Sequence, residues 1–239
     1  MTMTAFLTET DSRWVLLAAG PLIAYVVGST PFGVIIARTR GVDLRKCGSG
    51  NVGATNVGRV LGRPMGFLCF FLDVAKGLLP VLAAGAMLQS PSRQPSPLEQ
   101  AAILGVGCGA ICGHVFSFYL RFHGGKGVAT SLGVVLGVYP YFTWPGLAAL
   151  GVWIAVTLIS RYVSLGSICA VAGFVAFFAL FNHDQLGTVW PLGAFAAVMA
   201  ALIVLRHRGN IARLLAGTEN RIGSKPPPSE AEQGPDAGD

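Results

Sequence analysis

The segment MGFLCFFLDVAKGLLPVLAAGAML (65–88) runs for twenty-four residues with only Asp73 and Lys76 ionisable. About 20 apolar residues suffice to cross a hydrocarbon core, so this stretch reads as a membrane span. Comparable segments cover 14–37, 99–120, 128–140, 142–159, 164–181 and 188–205. The expected fold class is therefore all-α, a polytopic membrane helix bundle with about seven transmembrane helices. The 128–140 segment is short and is separated from the next by Tyr139-Pro140-Tyr141, which predicts a tight helical hairpin. The first segment lacks a basic n-region and contains Pro21 and Pro31, so it reads as a retained span and not as a cleaved signal peptide.

Composition agrees. Of 239 residues, 53% are hydrophobic and 12% charged, with a mean hydropathy of +0.62; an ordinary soluble domain carries about 25% charged residues. Fourteen of the seventeen Lys and Arg residues fall in 38–63, 121–126, Arg161 and 206–225, against Arg13 and Arg93 on the other side. The positive-inside rule then predicts the N-terminus outside and the C-terminus cytoplasmic. Residues 1–223 read as one integral membrane domain. Residues 224–239, SKPPPSEAEQGPDAGD, read as a disordered cytoplasmic tail, and 91–97 as a plain outer linker.

Three glycine-rich basic segments interrupt the apolar pattern on the predicted cytoplasmic face: GSGNVGATNVGR (48–59), FHGGKG (122–127) and RHRGN (206–210). Glycines let backbone N–H groups approach an oxyanion, and Arg59, Lys126 and Arg206 offer countercharge. The net charge is +6, and the eleven acids cluster toward the ends, leaving only Asp43, Asp73, Glu99 and Asp184 between. Little acid is thus expected to oppose a bound anion, and phosphorylated substrates with a lipid partner are the expected chemistry.

Within 48–59, Gly48, Gly50, Asn51, Thr55 and Asn56 combine flexible backbone with neutral hydrogen-bonding groups; Ser49 adds a hydroxyl and Arg59 a planar fork for phosphate oxygens. Gly124, Gly125 and Lys126 resemble part of a phosphate loop but fail the Walker A pattern, since Leu120 stands at its first glycine and Gly127 replaces Ser/Thr. At a helix start Lys126 can act with free N–H groups on an anion, or snorkel at the interface. His207 and Asn210 share a face if the last helix continues past Leu205; a histidine among arginines also reads as a surface residue. By spacing alone Ser164 and Ser167 read as an N-cap and helix polar pair. Asp73 and Lys76 are spaced for an inward-facing ion pair that holds the site from below, with His114 as a supporting group. The five cysteines read as small buried hydrophobes, forming neither a metal site nor a disulfide.

Taken with GSTPFG (28–33), LDVAKG (72–77), GHVFSFYLRFHGGKGVAT (113–130), RYVSLGS (161–167) and RHRGNIARLLAGTE (206–219), these segments closely resemble the bacterial acyl-phosphate glycerol-3-phosphate acyltransferase family. The resemblance implies a seven-helix enzyme of the bacterial inner membrane. It would move an acyl group from acyl phosphate to the 1-hydroxyl of glycerol 3-phosphate, giving lysophosphatidic acid and phosphate. It further implies an active-site set of Ser49, Arg59, Lys126, Ser164, His207 and Asn210. Three departures stand out: Ser117 where the family usually has proline, which bears on the bend of the third helix, Gly58 for a larger apolar residue, and Gly166 for serine. No cofactor, metal, nucleotide, nucleic acid or obligatory protein partner is expected, because an acyl phosphate is already activated and the task is to hold two anions and orient a hydroxyl. A transporter would place its anion site near the midplane, and a headgroup-binding scaffold would have no need of the Ser/Asn/His set. No histidine has an aspartate five residues later, as an H-x-x-x-x-D acyltransferase requires.

Overall fold

In the computed structural model, which describes residues 14, 16–88 and 96–223, the 65–88 segment lies within α4 (Arg63–Leu88). The other helices are α1 (Gly20–Ser29), α2 (Phe32–Arg38), α3 (Ala54–Leu61), α5 (Pro97–Val115), α6 (Val128–Gly137), α7 (Thr143–Ser160), α8 (Val163–Phe181), α9 (Trp190–Arg206) and α10 (Arg208–Leu215). All regular structure among the described residues is helical. The 224–239 tail and most of the 91–97 linker lie outside them. Ser96 and Glu99 form a reciprocal capping box at the start of α5, with Pro97 in its first turn, a combination that satisfies two orphan N–H groups.

Among the described residues, five segments have the length and apolarity to cross a bilayer: Gly20–Arg38, Arg63–Leu88, Pro97–Leu120, Thr143–Ser160 and Val163–Phe181. A sixth appears if α9 and α10, bent by 56°, are taken together. The 128–140 segment, expected as a span, forms only the ten-residue α6, about 15 Å at ~1.5 Å per residue and short of a roughly 30 Å core. The expected hairpin with α7 is present, closed where Gly146 packs on Val135.

Helix α5 sits at the centre. Its apolar window is 61% buried, against 22% to 33% for α4, α7 and α8, whose outer residues such as Leu158 and Ile159 are exposed in the manner of a lipid-facing surface. α5 packs on α1, α4, α6 and α9. Small residues allow the closest approaches: a Cβ at Gly28 would sit 2.2 Å from the Ala110 carbonyl, and one at Gly133 would sit 2.1 Å from that of Val74. Lipid offers no hydrophobic drive between helices, so such backbone proximity supplies the packing attraction.

The first span is broken, not continuous. Pro31 ends the α1 ladder, and the carbonyls of Ser29 and Thr30 accept from Ser117 Oγ at 2.6 Å and Lys76 Nζ at 2.9 Å. Side chains thereby satisfy a backbone break at membrane depth. Lys76 Nζ also lies 2.7 Å from Asp73 Oδ1, the expected i, i+3 pair. Ser117 is not within a bent helix: α5 ends at Val115, and a short 3₁₀ turn, Phe118–Leu120, follows.

Candidate active site

An open cavity of about 250 Å³ lies where the 48–59 segment, the starts of α6 and α8, and the α9–α10 elbow converge. Ser49, Arg59, Lys126, Ser164, His207 and Asn210, from four separate stretches of chain, all line it.

The first stretch is organised around Asn56, which is almost completely buried. Its Nδ2 donates to the carbonyls of Leu44 and Cys47; its Oδ1 accepts from Ser49 N at 2.9 Å and from Arg59 Nη1 at 3.4 Å. Gly48, at φ +60°, keeps this turn possible, since a Cβ there would lie 2.4 Å from Asn56 Oδ1. Val57 anchors α3 against α4 with no exposure. The long 38–63 connection is therefore compact. Asn51, Thr55 and Asn56 line the cavity, whereas Gly48 and Gly50 shape the loop behind it.

The second stretch divides its labour differently from expectation. Gly124 N and Gly125 N donate to the carbonyls of Val115 and His114 and so close the end of α5. Neither glycine lines the cavity. Arg206 is also diverted: its Nη2 donates to the carbonyls of Gly124 and Gly125 at 3.3 Å each, and its guanidinium lies over Phe116. These groups brace the loop. Lys126 and the first turn of α6, through Gly127, Val128 and Ala129, face the cavity; the first N–H groups of a helix have no intrahelical acceptor and carry partial positive charge.

Ser164 is not an N-cap. That position is Tyr162, without a side-chain cap bond, and Ser164 Oγ instead donates to Glu219 Oε1 at 2.9 Å. Ser167 bonds within its own helix, donating to the Val163 carbonyl.

The last helix does not run straight past Leu205. It breaks at His207, which ends α9 and begins α10, yet His207 and Asn210 still both face the cavity. His207 is 2% exposed, and its Nδ1 lies 2.8 Å from the Ile203 carbonyl. A carbonyl only accepts, so Nδ1 carries the proton and, in the neutral ring, Nε2 is left as an acceptor. Asn210 bridges two segments: Oδ1 accepts from Lys126 Nζ at 2.5 Å, and Nδ2 donates to Glu219 Oε1 at 2.6 Å.

Glu219 was not legible as a site residue and corrects the expectation of an acid-poor site. Its side chain is 6% exposed, with Oε2 2.7 Å from Arg213 Nε. Gly217, at φ +70°, turns the chain back after α10, and Thr218 N donates to the Arg213 carbonyl. The return is pinned further on by Ile222 N to the Arg161 carbonyl and Arg221 Nε to Tyr162 Oη. The only sequence signal was the place of Glu219 inside the 206–219 motif.

Electrostatics favour an anion at this mouth. Burial lowers the Lys126 ammonium to about 8, with Glu219 opposing and Arg213, Arg59 and Arg206 adding to the fall. Burial likewise lowers Arg59, against Glu219. Burial alone would raise the Glu219 carboxyl; hydrogen bonds from Asn210, Ser164 and Arg213 outweigh it and hold the group below its ordinary range. Cations crowded together with one shared carboxylate are relieved by a bound anion. On the side of α4 and α5, Asp73 and His114 also line the cavity, His114 Nδ1 lying 3.6 Å from Asp73 Oδ1.

Known proteins match most of the chain. The glycerol-3-phosphate acyltransferase family model matches residues 18–217. The glycerol-3-phosphate acyltransferase of Geobacter sulfurreducens is 44% identical over 200 residues, covering 84% of this chain and 94% of the relative. That of Aquifex aeolicus is 43% identical over 203 residues, covering 84% and 96%. Among solved structures, the glycerol 3-phosphate form of PlsY (YgiH), an integral membrane glycerol 3-phosphate acyltransferase, superposes with a TM-score of 0.73 at 42% identity over 89% of this chain and 96% of that one. Its lysophosphatidic acid form gives 0.70 at 40% identity over 88% and 95%. The chain belongs to the glycerol-3-phosphate acyltransferase family of multi-pass membrane proteins.

Proposed function

We propose that this enzyme transfers an acyl group from acyl phosphate to the 1-hydroxyl of glycerol 3-phosphate at the cytoplasmic face of the bacterial inner membrane. The observation that carries the reading is the cavity itself, which joins a cationic mouth to an apolar interior. An acyl phosphate has that same division, and glycerol 3-phosphate adds a second anion at the mouth. Arg59, Lys126 and the first-turn N–H groups of α6 hold the phosphates, with Asn51 and Thr55 offering neutral hydrogen bonds beside them. Gly48, Gly50, Asn56, Gly124 and Gly125 shape the loops that present these groups.

Ser49, Ser164, His207 and Asn210 orient the reacting groups. The His207 Nε2 lone pair accepts from the glycerol hydroxyl and aims its oxygen at the acyl carbon. The hydroxyl oxygen bonds to that carbon, the carbon–oxygen bond to phosphate breaks, and the hydroxyl proton passes by way of His207 Nε2 to the departing phosphate, leaving the imidazole neutral again. Products are lysophosphatidic acid and inorganic phosphate. Phosphate is a competent leaving group, so orientation and charge stabilisation suffice. Asp73, Lys76 and His114 support the site from α4 and α5.

Purified protein with glycerol 3-phosphate should form lysophosphatidic acid from acyl phosphate, with full activity in EDTA. Equal turnover with acyl-CoA, or strict dependence on a divalent metal, would refute the donor assignment.

A further inference from the structure

Below its cationic mouth the cavity becomes an apolar arm. On α9 the residues facing it recur every fourth position, Phe195, Met199, Ile203 and His207, one stripe of a 3.6-residue helix. Only His207, at the top, is polar. Opposite, α8 presents Ser164 and Ser167 and then Ala170 and Phe174; the Ser167 hydroxyl is satisfied within the helix by the Val163 carbonyl. The far end is closed by rings packed on one another: Phe142, with no exposure, lies edge-on to Phe174 at 5.3 Å and stacked on Phe195 at 6.2 Å. Phe178 backs the cluster at 5.5 Å from Phe142.

Resting on the acyl-donor reading above, we propose that Phe142, Phe174 and Phe195 form a floor that sets the longest acyl chain the enzyme accepts. Twelve residues separate His207 from Phe195 and ten separate Ser164 from Phe174, so the arm is about 15 to 18 Å deep at ~1.5 Å per residue. An extended alkyl chain with C–C bonds of ~1.5 Å at tetrahedral angles advances roughly 1.25 Å per carbon. The arm therefore takes about 12 to 14 carbons beyond the reacting carbonyl. A longer chain meets aromatic rings locked by their neighbours and must fold back or leave the arm.

The test is competition between pairs of saturated acyl phosphates, from eight to twenty carbons, mixed in one bicelle preparation with glycerol 3-phosphate. Wild-type kcat/KM should fall once the chain exceeds roughly 13 to 15 carbons, the carbonyl included. Phe195→Ala removes a ring from the floor and should move that limit up by about three carbons. Ala200→Phe places a ring about 10 Å below His207 and should lower the fourteen-to-eight-carbon ratio roughly tenfold or more. Opposite shifts in two variants separate a floor from general damage to the fold. Turnover that persists with wild-type length profiles in both variants would overturn the floor and put the chain in the surrounding lipid. Failure of every acyl phosphate with the wild-type protein would overturn the donor reading as well.

Discussion

Replacing Glu219 with Gln should move the alkaline limit of activity to lower pH. Lys126 lies at about 8 in the free enzyme, and its charge, needed for phosphate, is present below that pH and lost above it. Since kcat/KM reports ionisations of the free enzyme, it should fall through about pH 8, by roughly 10- to 150-fold for a lost charge-assisted contact of about 1.5 to 3 kcal/mol. Glu219 raises the Lys126 ammonium, so neutralising it lowers that group further. The size follows from geometry. Asn210 links the two by contacts of 2.5 and 2.6 Å, and its amide spans about 2.3 Å, which puts Nζ within about 7 Å of the carboxylate. At an effective dielectric constant of roughly 40 to 80 that interaction is about 0.6 to 1.2 kcal/mol, or about 0.4 to 0.9 pH units. Rates from pH 6 to 9.5, with spontaneous donor hydrolysis subtracted, measure it. Lys126→Arg, whose guanidinium does not titrate in this range, should flatten the limb at a lower overall rate. A limb that stays in place or moves to higher pH in Glu219→Gln would refute the assignment of the limb to Lys126 and the coupling through Asn210.

Three further outcomes are expected. Arg59→Lys keeps the charge but loses the planar fork and should lower kcat/KM roughly 10- to 100-fold, while Arg63→Lys, exposed and outside the cavity, should stay within a few-fold; equal mild effects would mean that the loop acts through bulk charge. Lys76→Met leaves Asp73 buried and strips the Thr30 carbonyl of its donor, so thermal unfolding in detergent should show a loss of about 3 to 5 kcal/mol, part of which Asp73→Asn in the same chain restores. In a cysteine-free background, Ser49→Cys should resist an impermeant thiol reagent applied from outside and Ser92→Cys should react; the reverse pattern would invert the orientation read from the basic loops.

Apolarity, helix period and close spacing act between residues near one another in the chain, which is why so much was legible without a fold. Most of the spans, the Asp73–Lys76 pair one helical turn apart, and the glycine-rich loops with Arg59 and Lys126 could be read directly, and the ordered motifs carried the family. The count of spans was less secure, because 128–140 is apolar enough for membrane but too short as a helix to cross it alone. What a polar group bonds to was decided elsewhere. Arg206 looked like a free cation and became a brace on the GGKG backbone. Ser164 looked like a cap and found a carboxylate fifty-five residues away. Glu219 looked like an acid at the edge of the tail and was carried into the site by the turn at Gly217. Lys126 and Asn210, eighty-four residues apart, meet only because α6 and the α9–α10 elbow end at the same face of the bundle. Which ends come together is set by helix packing around α5, and no local pattern of residues encodes it.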